Sequence, residues 1–229
     1  MGLMTSIMLI LQAILPQHFL SRAAGFVADL NRPIWLKNIL IRGFIGIYKV
    51  DLSEAECSEY KSFKNFNAFF TRSISLDLRP IAGSEWCQSA DGVLSQRGTV
   101  ESGNIIQAKG HTYSVQSLLA GTEAEANLYS NGSFATTYLS PKDYHRVHMP
   151  IDGILLMTRY VPGDLFSVNE ATVDRVDRLF TRNERMICFF STAKGQMAMV
   201  LVGAMVVAGI STVWGGREPR PRNLISSTS

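Results

Sequence analysis

Hydrophobic and polar positions divide the chain into a helical N-terminal part and a strand-rich remainder. Over residues 33–50 the apolar side chains recur at helical spacing, whereas Lys37 and Arg42 fall on other positions, which predicts an amphipathic helix. Residues 3–15 form a second apolar helix candidate. From residue 89 onward, short apolar runs alternate with Gly, Asn and Asp turns and predict strands. The predicted fold class is α+β: N-terminal helices followed by a largely antiparallel β-sheet or open barrel.

Local signals refine this prediction in the second part of the chain. Ser53 followed by Glu54 predicts a helix start, because a serine caps the first turn and the helix dipole favours a carboxylate there. Residues 115–119 predict a short helix with Gly121 as its C-cap. The uniformly apolar run 197–210 predicts strands buried on both faces. Four phenylalanines at helical spacing predict a core-facing stripe: Phe63, Phe66, Phe69 and Phe70.

The N-terminal 50 residues are basic, because only Asp29 opposes their lysines and arginines. A basic amphipathic helix with Trp35 and Tyr48 near its two ends is typical of a segment that lies in a membrane interface. An ordinary surface helix packed on its own domain shows the same pattern. No apolar run reaches the roughly 20 residues needed to span a bilayer. Because no basic region precedes the first apolar stretch, a signal peptide is not expected either.

These patterns predict three regions and a cytoplasmic location. Residues 1–50 are predicted to be membrane-interfacial helices, residues 51–215 an α+β domain, and residues 216–229 a polar, Pro-rich, disordered tail. The net charge of +3 and the lack of basic runs with interleaved aromatics argue against nucleic-acid binding. The three cysteines are far apart in sequence and fit a reducing compartment.

Two histidines between Pro141 and Pro150 are the main candidates for chemistry. They are His145 and His148, and the unperturbed pKa of histidine in general allows proton exchange at working pH. A metal site is the alternative reading of this pair. It is disfavoured, because side chains three residues apart on an extended chain point to opposite faces and no further Cys or His stands at ligand spacing.

Asp91 is the second candidate. The Asp91-Gly92 pair is a turn signal, but it directly precedes a predicted strand, from which a carboxylate can project toward another loop. A carboxylate that orients a histidine, which then polarises a hydroxyl, is the general arrangement of an activated nucleophile. Asp91 and His148 are predicted to be two such members.

Taken together, these residues resemble the bacterial phosphatidylserine decarboxylase family of the longer proteobacterial type. The resemblance extends from near the start of the chain to about Gly215. Its most specific part is the loop around His145 and His148 together with the run 162–169 that follows it. The matching segments are 48–51, 66–72, 90–96, 107–111, 138–150, 160–169, 182–185 and 201–204.

The resemblance implies a carboxy-lyase that converts phosphatidylserine into phosphatidylethanolamine and carbon dioxide through a pyruvoyl Schiff base. It implies a proenzyme in which Asp91 orients His148, and His148 activates a serine hydroxyl to attack the preceding glycine carbonyl, which yields the pyruvoyl group. His145 would sit by the substrate carboxylate. The implied partners are phosphatidylserine, the anionic membrane surface, a small pyruvoyl-bearing subunit and a second copy in a homodimer. The implied location is peripheral, on the cytoplasmic face of the bacterial inner membrane.

The sequence departs from the family in one respect that bears on activity. The family's Leu-Gly-Ser-Thr cleavage motif does not occur in these 229 residues, and the Gly-Ser pairs at Gly83-Ser84 and Gly132-Ser133 stand in different surroundings. The resemblance therefore implies that residues 51–215 are a catalytic-type domain that is incomplete and that residues 216–229 diverge from the family. We expect a truncated chain that is inactive alone. Two alternatives stay open: a non-catalytic lipid-binding remnant of the family, and a metal-dependent hydrolase built on His145 and His148.

Overall fold

A computed structural model describes residues 17–108, 110–205, 209–217 and 225–228 of the chain, in two compact units. The sheet unit comprises the described residues within 1–21, 95–136 and 153–229, and the helical unit comprises residues 22–94 and 137–152. The helices are α1 Gln17–Asp29, α2 Ile34–Tyr48, α3 Phe66–Phe70, α4 Val115–Leu119, α5 Glu123–Asn127, α6 Glu170–Val173 and α7 Leu179–Arg182, with 3-10 turns at Tyr60–Ser62 and Leu76–Leu78.

The strands are β1 Val93–Thr99, β2 Asn104–Ala108, β3 His111–Ser114, β4 Ser133–Tyr138, β5 Gly153–Val161, β6 Arg185–Thr192, β7 Gly195–Val202, β8 Ser211–Thr212, β9 Gly216–Arg217 and β10 Ile225–Thr228. They form a four-stranded sheet of order β10-β5-β6-β7 and the two-stranded sheets β1-β4, β2-β3 and β8-β9. The four-stranded sheet is antiparallel throughout. Helices combined with antiparallel sheets confirm the α+β prediction.

Strand β6 is the centre of the sheet unit. It is buried from Arg185 to Phe190, because it pairs with β5 on one side and β7 on the other. The prediction that the run 197–210 is buried on both faces is wrong. Strand β7 ends at Val202 and is only half-buried, since β6 is its one partner among the described strands.

The tail prediction is also wrong for the residues that the structure describes. Strand β10 lies inside the predicted disordered tail and pairs with β5 in regular antiparallel register. The remainder of that tail, residues 218–224 and 229, lies outside the described residues. The helix candidate over residues 3–15 lies outside them too.

Two local predictions differ from the structure for identifiable reasons. Helix α4 is confirmed, but the left-handed residue that ends it is Ala120, with φ of 47°, and not Gly121. The helix predicted to start at Ser53 does not form, because the Asp51 carboxylate accepts the Ser53 N–H at 2.8 Å and holds the chain in a turn. Ala55 then forms a β-bridge with Ile74.

Helix α2 organises the core of the helical unit. Ile41, Val50 and Phe69 are buried there, and the predicted phenylalanine stripe packs around them with edge-to-face ring contacts. Lys37 does not belong to an exposed basic face, because it is buried and its ammonium donates to the carbonyl oxygens of Lys61 and Phe63, each at 2.7 Å.

In the part of the chain that the structure describes, no helix combines the length and the apolar character required to cross a bilayer.

Candidate functional site

The loop from Pro141 to Pro150 has no regular secondary structure, as predicted, and backbone hydrogen bonds fasten its C-terminal end. The His148 N–H donates to the Ser89 carbonyl at 2.8 Å, and the Cys87 N–H donates to the Pro150 carbonyl at 2.8 Å. These two bonds hold His148 beside the segment that leads into Asp91.

Side chains from the end of α3 fasten the middle of the same loop. The Arg72 guanidinium donates from Nη2 to the Lys142 carbonyl at 3.1 Å. In return, Arg146 donates from Nε to the Thr71 carbonyl at 2.8 Å. The loop is therefore positioned by backbone groups and two guanidinium groups, which leaves its imidazoles available for other contacts.

Gly92 lies where only glycine fits. Its φ is +128°, and a Cβ at this position would lie 2.2 Å from the Tyr138 carbonyl oxygen. The Asp91-Gly92 turn can therefore pass against the end of β4, and this close approach fixes the direction in which the Asp91 side chain projects.

The Asp91 carboxylate is held by Arg79 in a two-pronged ion pair. Arg79 Nη1 and Nη2 donate to the two oxygens of Asp91 at 2.7 and 2.9 Å. The same guanidinium also contacts the Glu54 carboxylate, through Nη2 and through Nε at 3.2 Å. Hydrogen bonds to Asp91 and then to Glu54 raise the pKa of Arg79, so Asp91 faces a permanent cation.

His148 makes its side-chain contact with Tyr144. The Tyr144 hydroxyl lies 2.9 Å from His148 Nε2, and the two rings are stacked with centroids 5.6 Å apart. Burial raises the pKa of Tyr144, so the phenol stays protonated at neutral pH. A phenol is a better donor than acceptor, and its hydrogen bond therefore favours the His148 tautomer that carries its proton on Nδ1.

The described hydrogen bonds do not join Asp91 directly to His148. The two are linked through Tyr144, which contacts His148 and lines the same cavity as Asp91. The catalytic roles of both residues stay predictions. Sequence reasoning gave no role to Tyr144 or Arg79. The only available signal was that Tyr144 directly precedes His145 in the sequence.

His145 has a drier environment than His148. Its Nδ1 lies 2.8 Å from the Asp143 carbonyl oxygen, and its ring packs on Phe70 with centroids 4.0 Å apart. Burial, and to a smaller extent the positive charge of Arg72, lowers the pKa of His145. The neutral imidazole donates from Nδ1 to the carbonyl, so Nε2 carries a lone pair that no described residue engages.

Asp91 and Tyr144 line a polar cavity of about 260 Å³ within the helical unit. Four cations and four anions share its wall, so the cavity suits a small ligand that carries charges of both signs. These residues are Lys49, Arg72, Arg79 and Lys142, and Asp51, Glu54, Asp91 and Asp143.

Among the described residues, no three His, Cys, Asp or Glu side chains are grouped so that they could hold a metal ion. His145 and His148 hydrogen-bond to different neighbours, Asp143 and Tyr144.

Comparison with known proteins gives a consistent result over nearly the whole chain. The family model described as phosphatidylserine decarboxylase matches residues 66–223, and a model described as PSD matches residues 7–49. The chain is 49% identical over 231 residues to the phosphatidylserine decarboxylase proenzyme of Alcanivorax borkumensis, with 99% of this chain and 79% of that protein covered.

Phosphatidylserine decarboxylase proenzymes of two other bacteria have a similar sequence identity to this chain. The Yersinia enterocolitica protein is 49% identical, with 96% of this chain and 75% of that protein covered. The Pseudomonas aeruginosa protein is 51% identical, with 92% of this chain and 73% of that protein covered.

Replacement of Gly92 tests the close approach that positions Asp91. We expect Gly92→Ala to lower the free energy of unfolding by about 3 kcal/mol, because it adds backbone strain and a clash with the Tyr138 carbonyl. Gly103→Ala is the matched control, with φ of +72° and nothing within 4 Å of the added Cβ. It should cost only about 1 kcal/mol. Equal losses in urea unfolding would contradict this account.

Replacement of Tyr144 tests the hydrogen bond to His148. We expect Tyr144→Phe to move the His148 tautomer from Nδ1–H toward Nε2–H, because the donor to Nε2 is lost. Nitrogen-15 NMR of labelled histidines measures this shift. Tyr60→Phe, in the same unit, removes a hydroxyl that has no contact with histidine and should leave the spectrum unchanged. An unchanged His148 signal in Tyr144→Phe would contradict the assignment.

Proposed function

Because this chain belongs to the phosphatidylserine decarboxylase family, we propose that it acts in the conversion of phosphatidylserine into phosphatidylethanolamine and carbon dioxide, with Asp91, His148 and His145 as its site residues. The observation that supports this most is the polar cavity that Asp91 and Tyr144 line, with His148 hydrogen-bonded to Tyr144. Such a cavity suits a serine headgroup, which carries an ammonium and two anionic groups.

We assign His148 the role of the base in proenzyme self-cleavage. Its Nε2 is occupied by the Tyr144 hydroxyl, so an incoming serine hydroxyl must replace that hydroxyl or pass its proton along it. The Asp91 carboxylate, held in place by Arg79, stabilises the positive charge that develops on the imidazole. Asp91 then acts across the cavity by its charge and needs no direct hydrogen bond to His148.

The cofactor implied by the family is a pyruvoyl group, and the residues of the helical unit fit a small ketone of that kind. When bound, such a group supplies an electron-accepting carbonyl. The protonated Tyr144 hydroxyl can donate to a carbonyl oxygen when it releases His148 Nε2, and Lys142 lines the same cavity. His145, next to Tyr144 in sequence, offers Nε2 as a proton acceptor in its neutral form. The family forms this group from the serine of a Leu-Gly-Ser-Thr motif, and these 229 residues do not contain that motif.

We further propose that residues 1–229 contribute Asp91, His145 and His148 but form no pyruvoyl group by themselves. A small subunit generated from a Leu-Gly-Ser-Thr segment would complete the enzyme. The homodimer is an expectation from the family resemblance alone.

Helix α2 supports the membrane part of the proposal. Trp35, Ile39 and Ile47 are 63%, 60% and 75% exposed on it, although such side chains are normally buried. Arg42 on the same helix is exposed and basic. An exposed apolar surface with basic residues is suited to peripheral binding on an anionic leaflet, for which we propose the cytoplasmic face of the inner membrane. The same surface would serve the second candidate function, lipid binding without catalysis.

An activity experiment separates the two candidates. Residues 1–229 alone are expected to release no labelled carbon dioxide from phosphatidylserine micelles. The same residues joined to a segment that carries the family's Leu-Gly-Ser-Thr motif should cleave and decarboxylate. In that fusion, Asp91→Asn and His148→Gln should block cleavage. His145→Gln should permit cleavage but slow decarboxylation at least about 100-fold, because a proton-transfer group is lost.

The control for this experiment is His111→Gln, which replaces a histidine of the sheet unit that contacts Asp174 and Asp177. It should leave cleavage and turnover unchanged. Turnover by residues 1–229 alone would contradict the proposed inactivity. Normal cleavage in Asp91→Asn would contradict the role of that carboxylate, and a fusion that binds vesicles without any turnover would favour the lipid-binding function.

Vesicle flotation tests the membrane surface of α2. Ile39→Gln is expected to weaken binding to vesicles of phosphatidylglycerol and phosphatidylcholine about fivefold, because a half-exposed isoleucine contributes about 1 kcal/mol when buried in lipid. Ile81→Gln removes an equally apolar side chain that is 89% exposed away from the helix, and should have no effect. Binding should fall as salt screens Arg42. Equal effects of both substitutions would rule out α2 as the contact.

A further inference from the structure

Arg72 is a buried cation at the wall of the cavity. Only 6% of the residue is exposed, and its guanidinium lies 5.8 Å from the centre of the Phe69 ring. Its one hydrogen bond is the donation from Nη2 to the Lys142 carbonyl. Among the described residues, no carboxylate lies within ion-pair distance of it, although a buried charge normally requires a partner.

The carboxylates of the cavity are already engaged elsewhere. Asp91 and Glu54 pair with Arg79. Asp143 accepts the N–H and the hydroxyl of Ser140, at 2.7 and 2.8 Å. Asp143, Asp51 and Asp91 act on Arg72 only through space, and burial still lowers the pKa of Arg72. The remaining guanidinium donors are therefore available to a ligand in the cavity.

We propose that Arg72 binds the phosphodiester anion of the phospholipid headgroup, an inference that rests on the proposed function of this site. A guanidinium presents parallel N–H donors that match two phosphate oxygens, and the pair is strong where water is excluded. Lys142 lines the same cavity and adds a second positive charge.

The chemistry of decarboxylation favours the phosphate over the serine carboxylate as the partner of Arg72. The carboxylate loses its negative charge as carbon dioxide leaves. A guanidinium bound to it would stabilise the ground state more than the transition state and slow the reaction. The phosphodiester keeps its charge throughout, so Arg72 can bind it equally in both states. Loss of Arg72 should therefore raise KM and leave kcat nearly unchanged.

His145 supplies a readout that does not depend on turnover. Burial is the largest influence on the pKa of His145 and lowers it, and the positive charge of Arg72 lowers it as well. The hydrogen bond to the Asp143 carbonyl and the charge of the Asp143 carboxylate act in the opposite direction. An anion bound to Arg72 offsets that positive charge, so the pKa of His145 should rise when the site is filled. Removal of the Arg72 charge should raise it without any ligand.

The test is NMR titration of labelled histidines in residues 1–229, with glycerophosphoethanolamine, L-serine and inorganic phosphate as separate probes. Glycerophosphoethanolamine has the phosphodiester without a carboxylate, and L-serine has the carboxylate without a phosphate. We expect glycerophosphoethanolamine to raise the pKa of His145 and L-serine to leave it unchanged. Arg72→Gln should weaken the binding of glycerophosphoethanolamine at least tenfold, and Arg72→Lys should weaken this binding less. Lys64→Gln, which replaces an exposed cation of the same unit, should leave the binding unchanged.

Several outcomes would overturn the inference. A response to L-serine but not to glycerophosphoethanolamine would assign Arg72 to the carboxylate. Tighter binding of inorganic phosphate than of glycerophosphoethanolamine would assign the site to a free anion. Unchanged binding in a folded Arg72→Gln protein, or in Arg72→Lys if the first variant does not fold, would remove Arg72 from the site. Intact binding in a fusion that releases no carbon dioxide would instead contradict the proposed function alone.

Discussion

The ion pair between Arg79 and Asp91 is the constraint on which the candidate site depends. It is partly exposed, so its contribution to stability is modest. Its importance is geometric, because two parallel hydrogen bonds fix the plane of the Asp91 carboxylate. Glu54 holds Arg79 from the other side. A change that frees Arg79 would remove both hydrogen bonds that orient the Asp91 carboxylate.

The sequence carries enough information for the fold class and for several elements. Helix α2, helix α4 and the phenylalanine core follow from local periodicity, because each buries one face of a short segment. Burial of β6 rather than β7 depends on strand order, which periodicity does not encode. The failed helix at Ser53 has a comparable cause, since the Asp51 side chain competes locally for the backbone N–H that a helix would use.

The site is predictable in its members and not in its contacts. His145 and His148 stand out by residue type, and the turn at Asp91-Gly92 by its composition. Their actual partners, Tyr144 for His148 and Arg79 for Asp91, come from residues with ordinary sequence surroundings. The backbone bonds that link residues 87–89 to residues 148–150 bridge about 60 positions of the chain, and such long-range pairing leaves no local pattern in either segment.

The proposed function separates charges that change during decarboxylation from charges that do not. Burial lowers the pKa of His145, which follows the cavity-lining Tyr144 in sequence, so in this proposal its imidazole adds no cation near a carboxylate that must lose its charge. Arg72 is buried without a contacting carboxylate, so it can hold an anion whose charge is constant. A site with the cation beside the leaving carboxylate would bind substrate more tightly but react more slowly. In the proposed arrangement, binding energy therefore comes from the contact between Arg72 and the phosphate, whereas proton transfer is left to an imidazole that burial favours in its neutral form.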